Sequence, residues 1–393
     1  RPLVVAGARA LTWAASPRAG ALGAPCLWAV RRTAFAHFCG GERLEECVVV
    51  ADELAASGVR CIVDWSIEES EDASAWDANA QRKAELLRQA AAAFGRRAAF
   101  VPVKLTALLS PALLERVAAH AGDAADNDGA LSCADPEDAA RMAEAIERLA
   151  GLCAAARDVG VPLLLDAEQS DRQPAVHLVA RALQRRFNVD GSVVIYDTLQ
   201  MYLKASPRRL EAALAAARAG GFAYAVKLVR GAYIAQEASL DTVHATKAAT
   251  DAAYDGAVAR LLGELAAGAG GGAGAAPQVS LIVATHNRAS LERAVSEMRR
   301  LGIPRDSPRV HFAQILGMVD NLTNGLGLAG YNSLKLVVFG QIREVLPWLL
   351  RRVQENRDAF GAQAAELPVL RAELRRRLLG AFGAFGARAR PSA

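Results

Sequence analysis

The sequence predicts an α/β fold, a (β/α)8 TIM-like barrel, from three observations. Eight short apolar runs alternate with helical stretches, polar residues end almost every run, and no GxGxxG fingerprint follows the first run. The alternation argues for a parallel sheet, and eight units closing on themselves put chemistry at the C-terminal ends of the strands. An open doubly wound sheet shares the alternation and stands second.

The first 41 residues contain no Asp or Glu but include Arg1, Arg9, Arg18, Arg31 and Arg32, a bias typical of organelle transit peptides. The same stretch also reads as an alanine-rich first helix. Glu42–Ser57 has Leu44, Cys47, Val48, Ala51, Leu54 and Ala55 at helical spacing, with Gly58 as the stop. The strand Val59–Ser66 carries Asp64 near its end, the helix Glu71–Phe94 follows, and the strand Ala99–Thr106 carries Lys104. Residues 107–135 read as a helical turn and a polar loop, and Pro136 opens a helix to Val159. Strand three, Val161–Ala167, ends at Asp166. A helix Asp171–Phe187, a strand Ser192–Asp197 and a helix Thr198–Arg218 with Gln200 in its first turn come next.

Strand five lies in Phe222–Tyr233, FAYAVKLVRGAY, where β-branched residues end in charge, glycine and aromatic. Glu237–Ala266 reads as helix and runs into GAGGGAGAAP, which can pack nothing and predicts a flexible surface loop. The strand Val279–Thr285 is followed by His286 and Asn287. Helix Ser290–Leu301, strand Val310–Ile315, a glycine-punctuated connection, strand Ser333–Phe339 and helix Ile342–Arg357 complete eight units.

Composition excludes several classes. Lys and Arg total 46 against 42 Asp and Glu, and the net +4 is too mild to make nucleic acid the main partner. Cys26, Cys39, Cys47, Cys61, Cys133 and Cys153 form no CxxC pair and no metal-ligand spacing with the six histidines, so a reduced compartment and no metal are expected. No uncharged apolar run reaches the ~18–20 residues of a membrane span, so a soluble or peripheral protein is expected.

Asp64, Lys104, Asp166, Asp197, Arg230, His286 and Gln314 stand at strand ends, where a barrel would gather them around one mouth. Lys104 needs an anion, because Val101, Val103 and Leu105 surround its ammonium in sequence. On the last helix Arg351 and Glu355 share a face, Arg352 stands three residues from Glu355, and adjacent guanidinium forks suit a carboxylate or phosphate. A solvated basic helix face would look the same.

KLVRGAY, ATHN (Ala284–Asn287), LLLDAE (Leu163–Glu168), LPWLLRRVQEN (Leu346–Asn356) and AFAHFCGGE (Ala34–Glu42) resemble, in order, words of the proline dehydrogenase family. The resemblance implies a distorted (β/α)8 barrel with its last helix over the barrel mouth, binding FAD, oxidising L-proline to Δ1-pyrroline-5-carboxylate and passing electrons to a quinone. By that likeness Arg351, Arg352 and Lys104 would hold the substrate carboxylate. Asp166 would join the polar network, Glu355 would orient the arginines, and Tyr233 would line the substrate. Lys227, Val229, Arg230, Gly231 and Ala232 would lie along FAD, with Gln200, Lys247, Thr285, His286 and Asn287 adding polar contacts. No residue is named as the base for the substrate amine.

One departure concerns Leu336, which stands where proline-oxidising relatives usually carry tyrosine; hydroxyproline-oxidising relatives also lack that tyrosine. A hydroxyproline dehydrogenase is therefore the alternative within the family. A flavin-free barrel lyase or aldolase using Lys227 or Lys104 as a Schiff base, and a catalytically inactive binding barrel, are alternatives from other classes. The expected division is an N-terminal targeting-like segment over 1–41, the flavin barrel over 42–360 and a tail over 361–393. In that tail Leu367, Leu370, Leu374, Leu378 and Phe382 read as a basic amphipathic helix, suited to packing on the barrel or to anionic lipid. A mitochondrial address is expected, on the matrix side of the inner membrane with peripheral membrane contact.

Overall fold

The computed structural model describes residues 11, 19, 22–65, 72–121, 135–234, 237, 239–268, 278–358, 371 and 374–376, with the side chains of 240 and 353–358 excepted. Two units emerge. Residues Arg32–Gln341 form one, and Arg1–Arg31 with Ile342–Ala393 form the other.

The first unit is a closed parallel barrel. Its strands are β2 (Val59–Trp65), β3 (Ala98–Val103), β4 (Leu163–Leu165), β5 (Ile195–Gln200), β6 (Tyr224–Val229), β7 (Val279–Ala284), β8 (Val310–Ile315) and β9 (Ser333–Phe339), in that order around the sheet. Pairing of β9 with both β8 and β2 closes the ring, the latter in continuous register from Val59↔Ser333 to Trp65↔Phe339. A helix covers each crossover because a parallel strand buried on both faces needs an outer apolar layer. Leu86, Leu87, Leu149, Leu152, Val176 and Val179 supply it on one side, and Leu214, Tyr254, Leu261, Leu291 and Met298 on the other. Inside, Ile62, Phe100, Leu164, Tyr196, Ala225, Ile282, Ala313 and Leu334 fill the barrel.

Several boundaries are corrected. Gln200 is the last residue of β5, paired with Val229, and the helix starts only at Ser206. Ladder bonding to β6 holds Leu199 and Gln200 extended, and Pro207 sits at the proline-tolerant helix start. The helix expected from Glu237 begins at Lys247, because the preceding segment is tied to the turn after β5 by Lys204 N to Thr242 O (2.9 Å) and His244 N to Tyr202 O (2.9 Å). The glycine-punctuated connection contains a helix, Asp320–Leu328. Its Gly327 answers close packing rather than a turn: a Cβ there would lie 2.2 Å from the Ser57 carbonyl oxygen. A further short strand, β1 (Cys39–Gly41), pairs with the end of β9 from within the segment read as helical.

Lys335, buried on β9, donates to the carbonyls of Ile315 (3.0 Å) and Met318 (2.5 Å) and pairs with Asp320 (2.7 Å), which pins the connection after β8. Among the described residues no helix is long and apolar enough to cross a membrane, and no group of three acids, histidines or cysteines could hold a metal. The glycine-rich stretch beyond Gly268 lies outside the described residues, and so does the C-terminal amphipathic pattern apart from 371 and 374–376.

Candidate active site

Strand alternation decides which side chains reach the mouth. Two residues beyond the interior positions Leu164, Ala225 and Leu334 come Asp166, Lys227 and Leu336, and four beyond Tyr196 comes Gln200. Asp166 and Lys227, 61 residues apart, form a 2.5 Å ion pair whose side chains are 26% and 15% exposed. Each charge thereby makes the other tolerable at a mostly enclosed site. Asp64 instead pairs with Lys83 of the helix Ala73–Phe94 at 3.2 Å.

Lys104 follows β3 directly, half-buried, and forms no ion pair with any described residue. Its field reaches Glu168, which is buried and accepts a 2.8 Å hydrogen bond from Thr106. Burial pushes the Glu168 carboxyl above the usual range, opposed by the field of Lys104 and by the Thr106 hydroxyl. Glu168 is fixed at both ends of its backbone: its N–H donates to Gln173 (2.7 Å), and its carbonyl accepts from Gln200 (2.7 Å).

After β6 the chain crosses the mouth. Gly231 takes φ +144°, the Ala232 N–H donates to Gln200 Oε1 (3.4 Å), and the Tyr233 hydroxyl donates to the Ala167 carbonyl (3.1 Å). Tyr202 packs beneath Gly231 and donates to Glu237, which also accepts from Ser170. Val229 ends β6 in register with Gln200. The Arg230 guanidinium turns toward the rim between β6 and β7, donating to Asp251, Thr285 and Ser290. His286 accepts from the Ile315 N–H (3.1 Å), and Asn287 caps the helix Arg288–Arg300. Lys247 opens the helix Lys247–Gly268, with its side chain 76% exposed. Leu336 is half-buried, flanked in register by Ile62 and Ile315.

Thus Lys104, Asp166, Gln200, Lys227, Val229, Arg230, Gly231, Ala232, Tyr233, Thr285, His286, Asn287 and Leu336 belong to one end of one barrel. Arg351, Arg352 and Glu355 lie on the helix Ile342–Asp358 of the other unit. There Arg352 is buried over the Trp348 ring, 5.3 Å from its centroid, and the Glu355 side chain is outside the described residues. Glu168, Tyr202, Glu237 and Asp251 are not among the site residues expected from the sequence. Two of them have a local signal: Glu168 closes the LLLDAE word two residues after Asp166, and Asp251 stands four residues after Lys247 on a helix.

The sequence matches the family model described as Proline dehydrogenase over residues 47–363. A hydroxyproline dehydrogenase of Rattus norvegicus is 33% identical over 382 residues, covering 89% of this chain and 83% of the relative. Proline dehydrogenase 1, mitochondrial, of Arabidopsis thaliana is 29% identical over 383 residues, covering 89% and 75%. Among solved structures, proline utilization A of Bdellovibrio bacteriovorus inactivated by N-propargylglycine superposes with a TM-score of 0.67 at 20% identity, over 82% of this chain. That likeness shows the fold, and this chain matches only 32% of that protein's chain.

Proposed function

The chain belongs to the proline dehydrogenase family, an oxidoreductase family of flavoenzymes, and from that premise we propose that it oxidises L-proline to Δ1-pyrroline-5-carboxylate using FAD. The observation that carries the substrate reading is Lys104, an ammonium at the mouth with no ion-pair partner among the described residues, beside the closed Asp166–Lys227 pair. An amino acid carboxylate would complete it.

The residues present fit a dinucleotide flavin. Two helices of 22 and 13 residues begin near the ends of β6 and β7, with Lys247 exposed at the first. First-turn amides and an ammonium suit a diphosphate. Gln200, Lys227, Val229, Gly231, Ala232, Thr285, His286 and Asn287 are the proposed lining of the rest. When bound, FAD supplies the hydride acceptor.

The protein's own part is positional. Lys104 fixes the carboxylate end of the substrate, and the tethered Tyr233 bounds the ring; Arg351, Arg352 and Glu355 are added to the clamp on the likeness of their sequence words alone. Holding the reacting carbon in one geometry is a large share of such a catalysis. The C5 hydrogen leaves with its electron pair as the amine lone pair forms the C=N bond, so the amine must first lose a proton. Electrons then pass to a quinone, in the first step of proline catabolism to glutamate. The names of mitochondrial relatives support a mitochondrial location; the matrix side of the inner membrane, with peripheral contact, is part of the same proposal. Family membership sets aside the flavin-free Schiff-base lyase.

The purified protein is expected to be yellow and to bleach under anaerobic L-proline. A protein that stays colourless after folding with excess FAD would sink this reading.

A second reading, 4-hydroxyproline as substrate, is favoured by Leu336 and by relatives named hydroxyproline dehydrogenase. Leucine leaves room where a tyrosine ring would crowd C4, yet gives a hydroxyl no partner. Activity on L-proline is therefore expected with a narrow margin over trans-4-hydroxy-L-proline. Leu336→Tyr should widen the kcat/KM ratio by roughly 5- to 150-fold, the equivalent of ~1–3 kcal/mol for a crowded or unpaired hydroxyl. An unchanged ratio would remove strand β9 from substrate discrimination.

A further inference from the structure

Two cations at the flavin site, Arg230 and Lys247, meet on one carboxylate that none of the sequence motifs includes, and Arg230 links it to Thr285. Asp251, in the second turn of the helix Lys247–Gly268, accepts from Arg230 Nε at 2.7 Å through Oδ1 and from Lys247 Nζ at 2.5 Å through Oδ2. Arg230 then spends its remaining nitrogens on the next wall: Nη1 donates to Thr285 Oγ1 (2.5 Å) and Nη2 to Ser290 Oγ (2.7 Å). Thr285 Oγ1 in turn accepts from the Asn287 N–H (3.1 Å), and Asn287 accepts from the Ser290 N–H (3.3 Å).

The guanidinium has no slack in this arrangement. It lies over the Tyr254 ring at 4.3 Å, and Tyr254, fully buried, donates to the Leu228 carbonyl at 3.3 Å. Its planar fork is thus held by a carboxylate, two hydroxyls and an aromatic face, a geometry lysine could not satisfy. Burial pushes the Asp251 carboxyl up, but the bonds from Lys247 and Arg230 outweigh it and hold the carboxyl below its usual range.

We propose that Asp251 is a positioning residue for the cofactor. It holds Lys247 toward the diphosphate and, through Arg230, fixes the Thr285–Asn287 turn, so Arg230 serves the flavin from inside the wall. This rests on the flavin reading above.

Charge alone predicts the opposite. Removing a carboxylate beside an anion site leaves two cations less neutralised and should tighten the hold on a diphosphate. Loss of positioning should loosen it, so the sign of the effect decides.

The test uses the flavin-loaded protein and follows release of FAD, after dilution, by recovery of free flavin fluorescence. Asp251→Asn is expected to release FAD at least about tenfold faster, since a charge-assisted bond to each cation is weakened, and Asp251→Glu should recover part of that. Thr285→Val cuts the same chain at its other end, so the double variant with Asp251→Asn should release FAD little faster than the worse single variant. Release as slow as wild type in Asp251→Asn, or slower, would overturn the proposal, and so would additive effects. A wild-type protein that never holds flavin would instead remove the flavin reading and this inference together.

Discussion

Replacing Gly231 by alanine is expected to give a folded protein that has lost its flavin and with it its activity. Gly231 sits at φ +144°, a conformation that a side chain rarely permits. A Cβ there would stand 1.9 Å from Cδ1 and 2.2 Å from Cε1 of Tyr202. The tyrosine cannot swing aside: its ring is buried, its hydroxyl donates to Glu237, and its backbone N–H donates to the Arg230 carbonyl at 2.7 Å. Backbone strain of ~1–3 kcal/mol and overpacking of a similar size fall well short of unfolding a barrel. Relief comes locally, as residues 231–233 leave the mouth and give up the Ala232–Gln200 and Tyr233–Ala167 hydrogen bonds. The ratio of flavin to protein absorbance should fall at least about tenfold, the equivalent of ~1.4 kcal/mol in retention, with far-UV circular dichroism unchanged. Wild-type flavin content would mean that this segment does not line the cofactor.

The strands were legible because strands buried on both faces are mostly apolar and rich in β-branched residues, with only isolated polar positions. Val310–Ile315 and Ser333–Phe339 have the same ends in sequence and structure, as does the proline-opened helix Pro136–Val159. What was hidden depends on partners remote in sequence. Gln200 reads as helix until β6 is beside it, and Gly327 reads as part of a turn until Ser57 is packed against it. The same holds at the mouth. Lys227 and Arg230 are two similar cations three residues apart, yet one meets Asp166 across the barrel and the other meets Asp251 and Thr285 in its wall. Strand parity separates them, because Lys227 shares the inward face of Ala225 whereas Arg230 falls beyond the strand's last residue, Val229.

Lys104→Met should nearly abolish turnover of L-proline at low substrate while leaving the fold as stable as before, or more so. Methionine keeps an unbranched apolar side chain beside Val103 and Leu105, so packing changes little. What disappears is an ammonium that is half-buried and makes no ion pair with any described residue. Its desolvation opposes folding, since no described carboxylate closes an ion pair with it and the field of Glu168 offsets the lost hydration only in part. The thermal midpoint of the variant should therefore equal or exceed that of the wild type. Glu168 sharpens the point. Its carboxyl, raised by burial, loses the field of Lys104 that opposes that rise, so it should titrate higher still in the variant. Substrate binding moves the other way. Deleting one partner of a desolvated charge pair costs about 2–5 kcal/mol, or roughly 30- to 5,000-fold in kcat/KM, and most of it should appear in KM because the carboxylate is held in both ground and transition states. Flavin content should not change. A charge kept for structure would give the reverse pattern, a lower midpoint with unchanged KM, and that outcome would move the substrate carboxylate away from β3.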